Sequence, residues 1–104
     1  MNILFDQGTP APLRAVLVGH TVETAYERGR SMLSNGDLLT AAQTASFDVF
    51  ITTDQNLHNQ QRLSGRLAVV VLPTTRWPQI RQHADNIVSA VEAIQPGEYR
   101  ELSW

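Results

Sequence analysis

The 104-residue chain contains no cysteine and no lysine, and its eight basic residues, all arginine, face ten acidic ones for a formal charge of −2. Without cysteine there are no disulfide scaffolds, thiolate zinc sites, iron–sulfur clusters or cysteine nucleophiles; without lysine there is no Walker-type phosphate loop, Schiff-base chemistry or pyridoxal phosphate attachment. With 42% hydrophobic and 17% charged residues, the composition fits one soluble globular domain with no general basic field for nucleic acid.

Asn2 to Phe5 (NILF) is a short apolar run that stops at Asp6, the pattern of a buried strand. Thr9 then reads as an N-cap with Pro10 in the first helical position, Leu13, Val16 and Leu17 as an apolar helical stripe, and Gly19 as the C-terminal cap. His20 to Ala25 (HTVETA) is a second short strand, followed by a polar connection from Tyr26 to Met32. Ser34-Asn35-Gly36-Asp37 supplies a start signal for a helix marked by Leu38, Leu39, Ala42 and Ala45. Phe47 to Thr53 (FDVFITT) is rich in β-branched and aromatic residues, the strongest strand pattern in the chain.

A helix is expected over Gln55 to Leu63, ended by Gly65. Leu67 to Leu72 (LAVVVL) is an uninterrupted apolar run of strand length, hence interior to a sheet. Pro73 and Pro78 bracket a turn. From Gln79 the positions Ile80, Ala84, Ile87, Val88, Val91 and Ile94 predict one long amphipathic helix, stopped at Pro96-Gly97. The tail from Tyr99 to Trp104 reads as an edge strand. Residues 2–95 thus form the body of a single domain over 1–104. The alternation predicts a three-layer α/β/α sandwich around a mainly parallel sheet. No apolar stretch approaches the roughly 20 residues that span a bilayer, and no basic-then-hydrophobic leader opens the chain, so a cytoplasmic protein without membrane contact is expected.

In parallel sheets ligands bind at the carboxyl ends of strands. Asp6 follows the first strand, Asp37 opens the middle helix, and Asp54 follows the strongest strand. Three carboxylates at one edge repel each other unless a cation sits among them, and carboxylate oxygen suits Mg²⁺ or Mn²⁺. Such an ion activates water and stabilises charge on a phosphodiester. Each residue also has an ordinary structural use. Asp37 suits the first turn of a helix, Asp54 suits the cap of the next helix, and Asp6 has no capping duty because Thr9-Pro10 starts the helix. Asn56, with Gln60 and Gln61, forms a polar cluster that reads as a solvated face or as contacts to nucleotide groups. Arg76 and Arg81 can meet a phosphate bidentately or form surface ion pairs. His20, His58 and His83 lack zinc spacing, although His58 lies four residues after Asp54.

The series ILFDQGTP, GHTVETAYERG, NGDLLTAA, FDVFITTDQNL and NQQRLSGRLAVVVL resembles the DUF5615 PIN-like family, related to the PIN nuclease domains, over about residues 2 to 95. The resemblance implies a PIN-like fold and a Mg²⁺- or Mn²⁺-dependent endoribonuclease with Asp6, Asp37 and Asp54 as catalytic metal ligands. Asn56 and Arg76 would then help to place the RNA. Many PIN domains are toxins, which makes an antitoxin protein an expected partner. Gln7 and Asn56 stand where many members of the family carry further acids, and Arg30 stands where relatives often carry a large aromatic. Fewer anionic ligands keep a second reading open: a catalytically silent interaction module that binds an antitoxin or forms a homodimer.

Overall fold

The computed structural model of the chain describes residues 1–29, 34–57 and 66–104, residue 35 by its backbone alone. Strands β1 (Asn2–Phe5), β2 (Thr21–Thr24), β3 (Val49–Thr52), β4 (Ala68–Val71) and β5 (Tyr99–Glu101) form one sheet in the order β2-β1-β3-β4-β5. All of its pairings are parallel. The predicted strands are all present, and the tail supplies the edge strand expected of it. The helices are α1 (Asn35–Thr44), α2 (Trp77–Gln82) and α3 (Ala84–Ala93), with a 3₁₀ segment at Ala11–Ala15.

Both faces of the sheet are apolar because successive residues of β1, β3 and β4 alternate between two cores. Ile3, Phe5, Val49, Ile51, Ala68 and Val70 pack with Leu13 of the 3₁₀ segment, Ile80 of α2, and Ile87 and Val91 of α3. Leu4, Phe50, Val69 and Val71 pack with Leu38, Leu39 and Ala42 of α1. Burial on both faces explains why these strands read as continuous apolar runs. Among the described residues, no helix is long and apolar enough to cross a membrane.

Ser34 caps α1 as its sequence indicates, accepting the Asp37 N–H at 3.2 Å. Two other helical expectations need correction. The segment after Asp6 is a single 3₁₀ stretch that begins at Pro10, without a side-chain cap, since the Thr9 hydroxyl is used elsewhere. The long C-terminal helix is two helices broken at His83, whose backbone leaves helical geometry at φ −112° and ψ 23°. There the His83 ring stacks on Trp104, with centroids 4.6 Å apart, and its N–H bonds back only three residues to Ile80. The predicted helix over Gln55 to Leu63 falls mostly outside the described residues, as do His58, Gln60, Gln61 and Arg30.

Gly97 sits at φ +79°, a left-handed turn that glycine adopts without strain, and its N–H bonds the Arg66 carbonyl at 3.1 Å. Glu98 then holds the chain for β5: it accepts the Gln95 N–H at 2.9 Å and pairs with Arg100 at 2.7 Å. These contacts, the Gln95 N–H first, keep the Glu98 carboxyl below the usual glutamate range.

Phe50 is fully buried between β1 and β4 on the α1 face. Truncation to alanine removes its transfer free energy and leaves a cavity, so Phe50→Ala is expected to lose about 3–5 kcal/mol, read as a shift in urea midpoint at unchanged slope.

Candidate functional site at the carboxyl edge of the sheet

The chain leaves β1 toward β2 on one side and returns through α1 to β3 on the other, so strand order reverses between β1 and β3. That crevice is the place where parallel sheets bind ligands. Asp6 extends β1 into it and Thr53-Asp54 extend β3. The Asp6 N–H bonds the Ile51 carbonyl at 3.1 Å, keeping the two chains paired one residue past the strand.

Asp6 is 2% exposed, and an ionised carboxylate so buried is tolerable only when donors surround it. Three do. The Thr9 hydroxyl donates to Oδ1 at 2.5 Å, the Thr52 hydroxyl donates to Oδ2 at 2.6 Å, and the Thr53 N–H approaches Oδ2 at 3.4 Å. The duty that sequence reasoning could not find for Asp6 is therefore to join its own loop to the end of β3. Gly8 belongs to the same junction: a Cβ there would lie 2.5 Å from Thr53 Oγ1, so the loop can approach β3 only without a side chain.

Thr52 carries the connection onward. While it donates to Asp6, its oxygen accepts the Asp54 N–H at 3.0 Å. Asp54 then turns the chain, its Oδ1 accepting the Asn56 N–H at 2.9 Å, the local bond that makes aspartate a turn residue. The Asp6 carboxylate and the Asp54 backbone N–H thus share one hydroxyl. Asn56 is exposed, and its backbone N–H is what the site uses.

Asp37 sits elsewhere in this arrangement. It is exposed in the first turn of α1, with its N–H capped by Ser34. Because α1 runs back from the end of β2 to the start of β3, that turn belongs to the carboxyl-edge end of the helix, which is about 15 Å long. Arg76 is exposed between β4 and α2, at the N-cap of α2, and its N–H bonds the Thr74 hydroxyl at 3.1 Å. All five candidate site residues are therefore at or toward one edge, and Asp6, Asp54 and Asn56 are linked through the Thr52 hydroxyl and the Asp54 turn.

Among the described residues, no three acidic or histidine side chains are grouped to hold a metal ion. Mg²⁺ keeps several waters and takes one or two carboxylates together with substrate phosphate oxygens, a habit that acids at the ends of the neighbouring strands β1 and β3 can meet.

A cleft of about 650 Å³ opens beside Asp6. Its walls come from Gln7 to Ala11 after β1, Thr24 to Glu27 after β2, and Thr75 and Trp77 after β4. Asp6 lines it; Asp37 and Asp54 do not. The turn after β2 is built by a reciprocal cap that the sequence contains as Thr24-x-x-Glu27: the Glu27 N–H donates to Thr24 Oγ1 at 3.1 Å, and Glu27 Oε1 accepts the Thr24 N–H at 2.9 Å. Arg14, from the 3₁₀ segment, donates to the same Oε1 and ties this turn to the loop after β1. The Arg14 guanidinium first, and the Thr24 N–H next, hold the Glu27 carboxyl below the usual glutamate range. A concavity at the opposite edge of the sheet contains Asp48, but the Asn2 N–H occupies that carboxylate at 2.8 Å.

Comparison with protein-family models, with curated proteins and with solved structures returns no match.

Replacing Thr52 by valine keeps its shape but removes the donor to Asp6 and the acceptor for the Asp54 N–H. A loss of about 1–3 kcal/mol is expected in chemical unfolding, against a near-neutral effect for Thr44→Val on the exposed side of α1. For Glu27, depression of the carboxyl pKa in the folded chain means that its contribution to stability is present above the ordinary glutamate range and fades as pH falls through the folded value. Carbon-detected NMR titration should find Glu27 titrating at lower pH than a free glutamate, and Arg14→Gln should bring it back toward the ordinary range.

Proposed function

We propose that the chain is a divalent-metal-dependent endoribonuclease of PIN-like type, with Mg²⁺ or Mn²⁺ held at the crevice between β1 and β3. The observation that supports this reading is that Asp6 and Asp54 end neighbouring strands at the strand-order reversal, with the Asp6 carboxylate and the Asp54 N–H sharing the Thr52 hydroxyl. Asp6 and Asp54 would hold the ion, with Asp37 approaching from the first turn of α1. A bound divalent ion supplies charge stabilisation on a phosphodiester and a more acidic water.

The chain's own residues then have separate tasks. Thr9, Thr52 and the Thr53 N–H hold Asp6 in place, so that a cation meets an oriented carboxylate. The Asp54 turn presents Asn56 on the solvent side, where it can meet a nucleotide group, and Arg76 offers a guanidinium to a neighbouring phosphate. With a net charge of −2, RNA is held by these few contacts and by the cation, not by a broad basic surface. The resemblance to PIN-like proteins supports the toxin role and an antitoxin partner within this proposal.

A second reading, an interaction module without catalysis, is favoured by one observation: the oxygens of Asp6 already accept donors from within the chain. Calorimetric titration with Mn²⁺ separates the two. The nuclease reading expects saturable binding in the millimolar range or tighter, weakened at least about tenfold in Asp54→Asn, and cleavage of single-stranded RNA that the same variant abolishes while its circular dichroism is unchanged. No heat of binding at millimolar Mn²⁺, with no cleavage by the parent chain, would leave the interaction module as the function.

A further inference from the structure

The cleft beside Asp6 has a feature that holding a cation does not require. Tyr26, on its rim, is 80% exposed, although an aromatic ring gains most from being covered. It is not on a loose loop. The Thr24–Glu27 reciprocal cap fixes the turn that carries it, the Arg28 N–H closes that turn on the Thr24 carbonyl at 3.1 Å, and Arg14 braces it from the neighbouring segment. Several polar interactions therefore fix the backbone that carries an uncovered ring.

Trp77 lies in the wall of the same cleft, as the first residue of α2, with the loop after β1 between the two aromatics in the order of the sheet. The space is within the range of small-ligand sites and is large enough for a nucleoside. Its charged groups are already engaged. Glu27 is paired with Arg14, and buried Asp6 accepts three neutral donors, so the lining offers no unpaired cation for a phosphate and little exposed anion for a basic side chain. Gln7, Thr24 and Thr75 add neutral hydrogen-bonding groups. A flat, uncharged, hydrogen-bonding ring is the ligand that such walls suit.

We propose that this cleft is a base-binding subsite for single-stranded RNA, in which a nucleobase stacks on Tyr26 while the adjoining phosphate lies toward the Asp6–Asp54 crevice. The inference rests on the ribonuclease reading for its substrate class and deepens it. It assigns Tyr26, a residue without a part in metal binding, to recognition of the nucleotide beside the scissile bond. Stacking on an aromatic side chain tolerates different bases, so the subsite adds affinity and register more than sequence selectivity.

Two measurements on the intact chain test it in chelator, where cleavage cannot intervene. Adenosine, which carries no phosphate, should quench Trp77 emission saturably in a Trp104→Phe background, and Tyr26→Ala should abolish this while Tyr26→Phe preserves it. Anisotropy of a labelled six-nucleotide single-stranded RNA should show about tenfold weaker binding for Tyr26→Ala and near-parent binding for Tyr26→Phe. Equal binding by the alanine variant, or no saturable response to adenosine, overturns the subsite. Quenching by an arginine-containing peptide in place of adenosine overturns it in favour of a protein-docking cleft. Because no metal is present, failure here is separate from failure of the nuclease reading, which is decided by Mn²⁺ binding and the loss of cleavage in Asp54→Asn.

Discussion

A carboxylate that is almost entirely withdrawn from water governs the carboxyl edge of this protein. Desolvating an anion costs several kcal/mol unless donors replace the lost water, and Asp6 recovers its donors from one residue on the loop after β1 and two at the end of β3. The requirement acts as a constraint on the chain. The loop after β1 must fold back so that Thr9 can reach its partner, and β3 must end in two residues that supply a hydroxyl and an N–H. Gly8 suits the same geometry, because a Cβ there would press on the Thr53 hydroxyl.

Through Thr52 the constraint extends to Asp54, so the two acids are held as one unit by a group that is itself neutral. A carboxylate fixed in this way serves stability and ligand binding together: donors that make the charge tolerable also limit its motion, and restricted motion favours metal coordination. The distinction between a structural and a functional aspartate is therefore weaker here than it looked from the chain alone. Asp37, by comparison, is an exposed member of a helix's first turn, stabilised by its place near the positive end of the helix and independent of the Asp6 junction.

The sheet was legible in the sequence because its strands are buried on both faces, which turns FDVFITT and LAVVVL into unmistakable apolar runs. The order of the strands was not, since pairing partners depend on crossovers that periodicity does not encode. Thr9 and Pro10 look like a helix start in any local reading; a tertiary partner, the Asp6 carboxylate, claims the threonine hydroxyl and leaves only a short 3₁₀ turn. The apolar spacing from Ile80 to Ile94 is continuous across His83, so the stripe conceals a break that comes with stacking on a residue 21 positions away. Within the site, the acids could be named from their places after strands, whereas their common link could not. Threonine hydroxyls carry no sequence pattern that distinguishes a bridge from a solvated side chain. The Thr24–Glu27 cap was present as a readable motif and was obscured by the strand pattern that overlaps it.

The margins of the sheet have a consequence of their own. At one side β2 is four residues long with Glu23 on it, and at the other β5 is three residues long with Arg100 and Glu101. An exposed strand edge invites a foreign strand to join it, and short, charged margins make that invitation poor. Among the described residues, the sheet therefore offers no long flat border along which a second sheet would readily be extended.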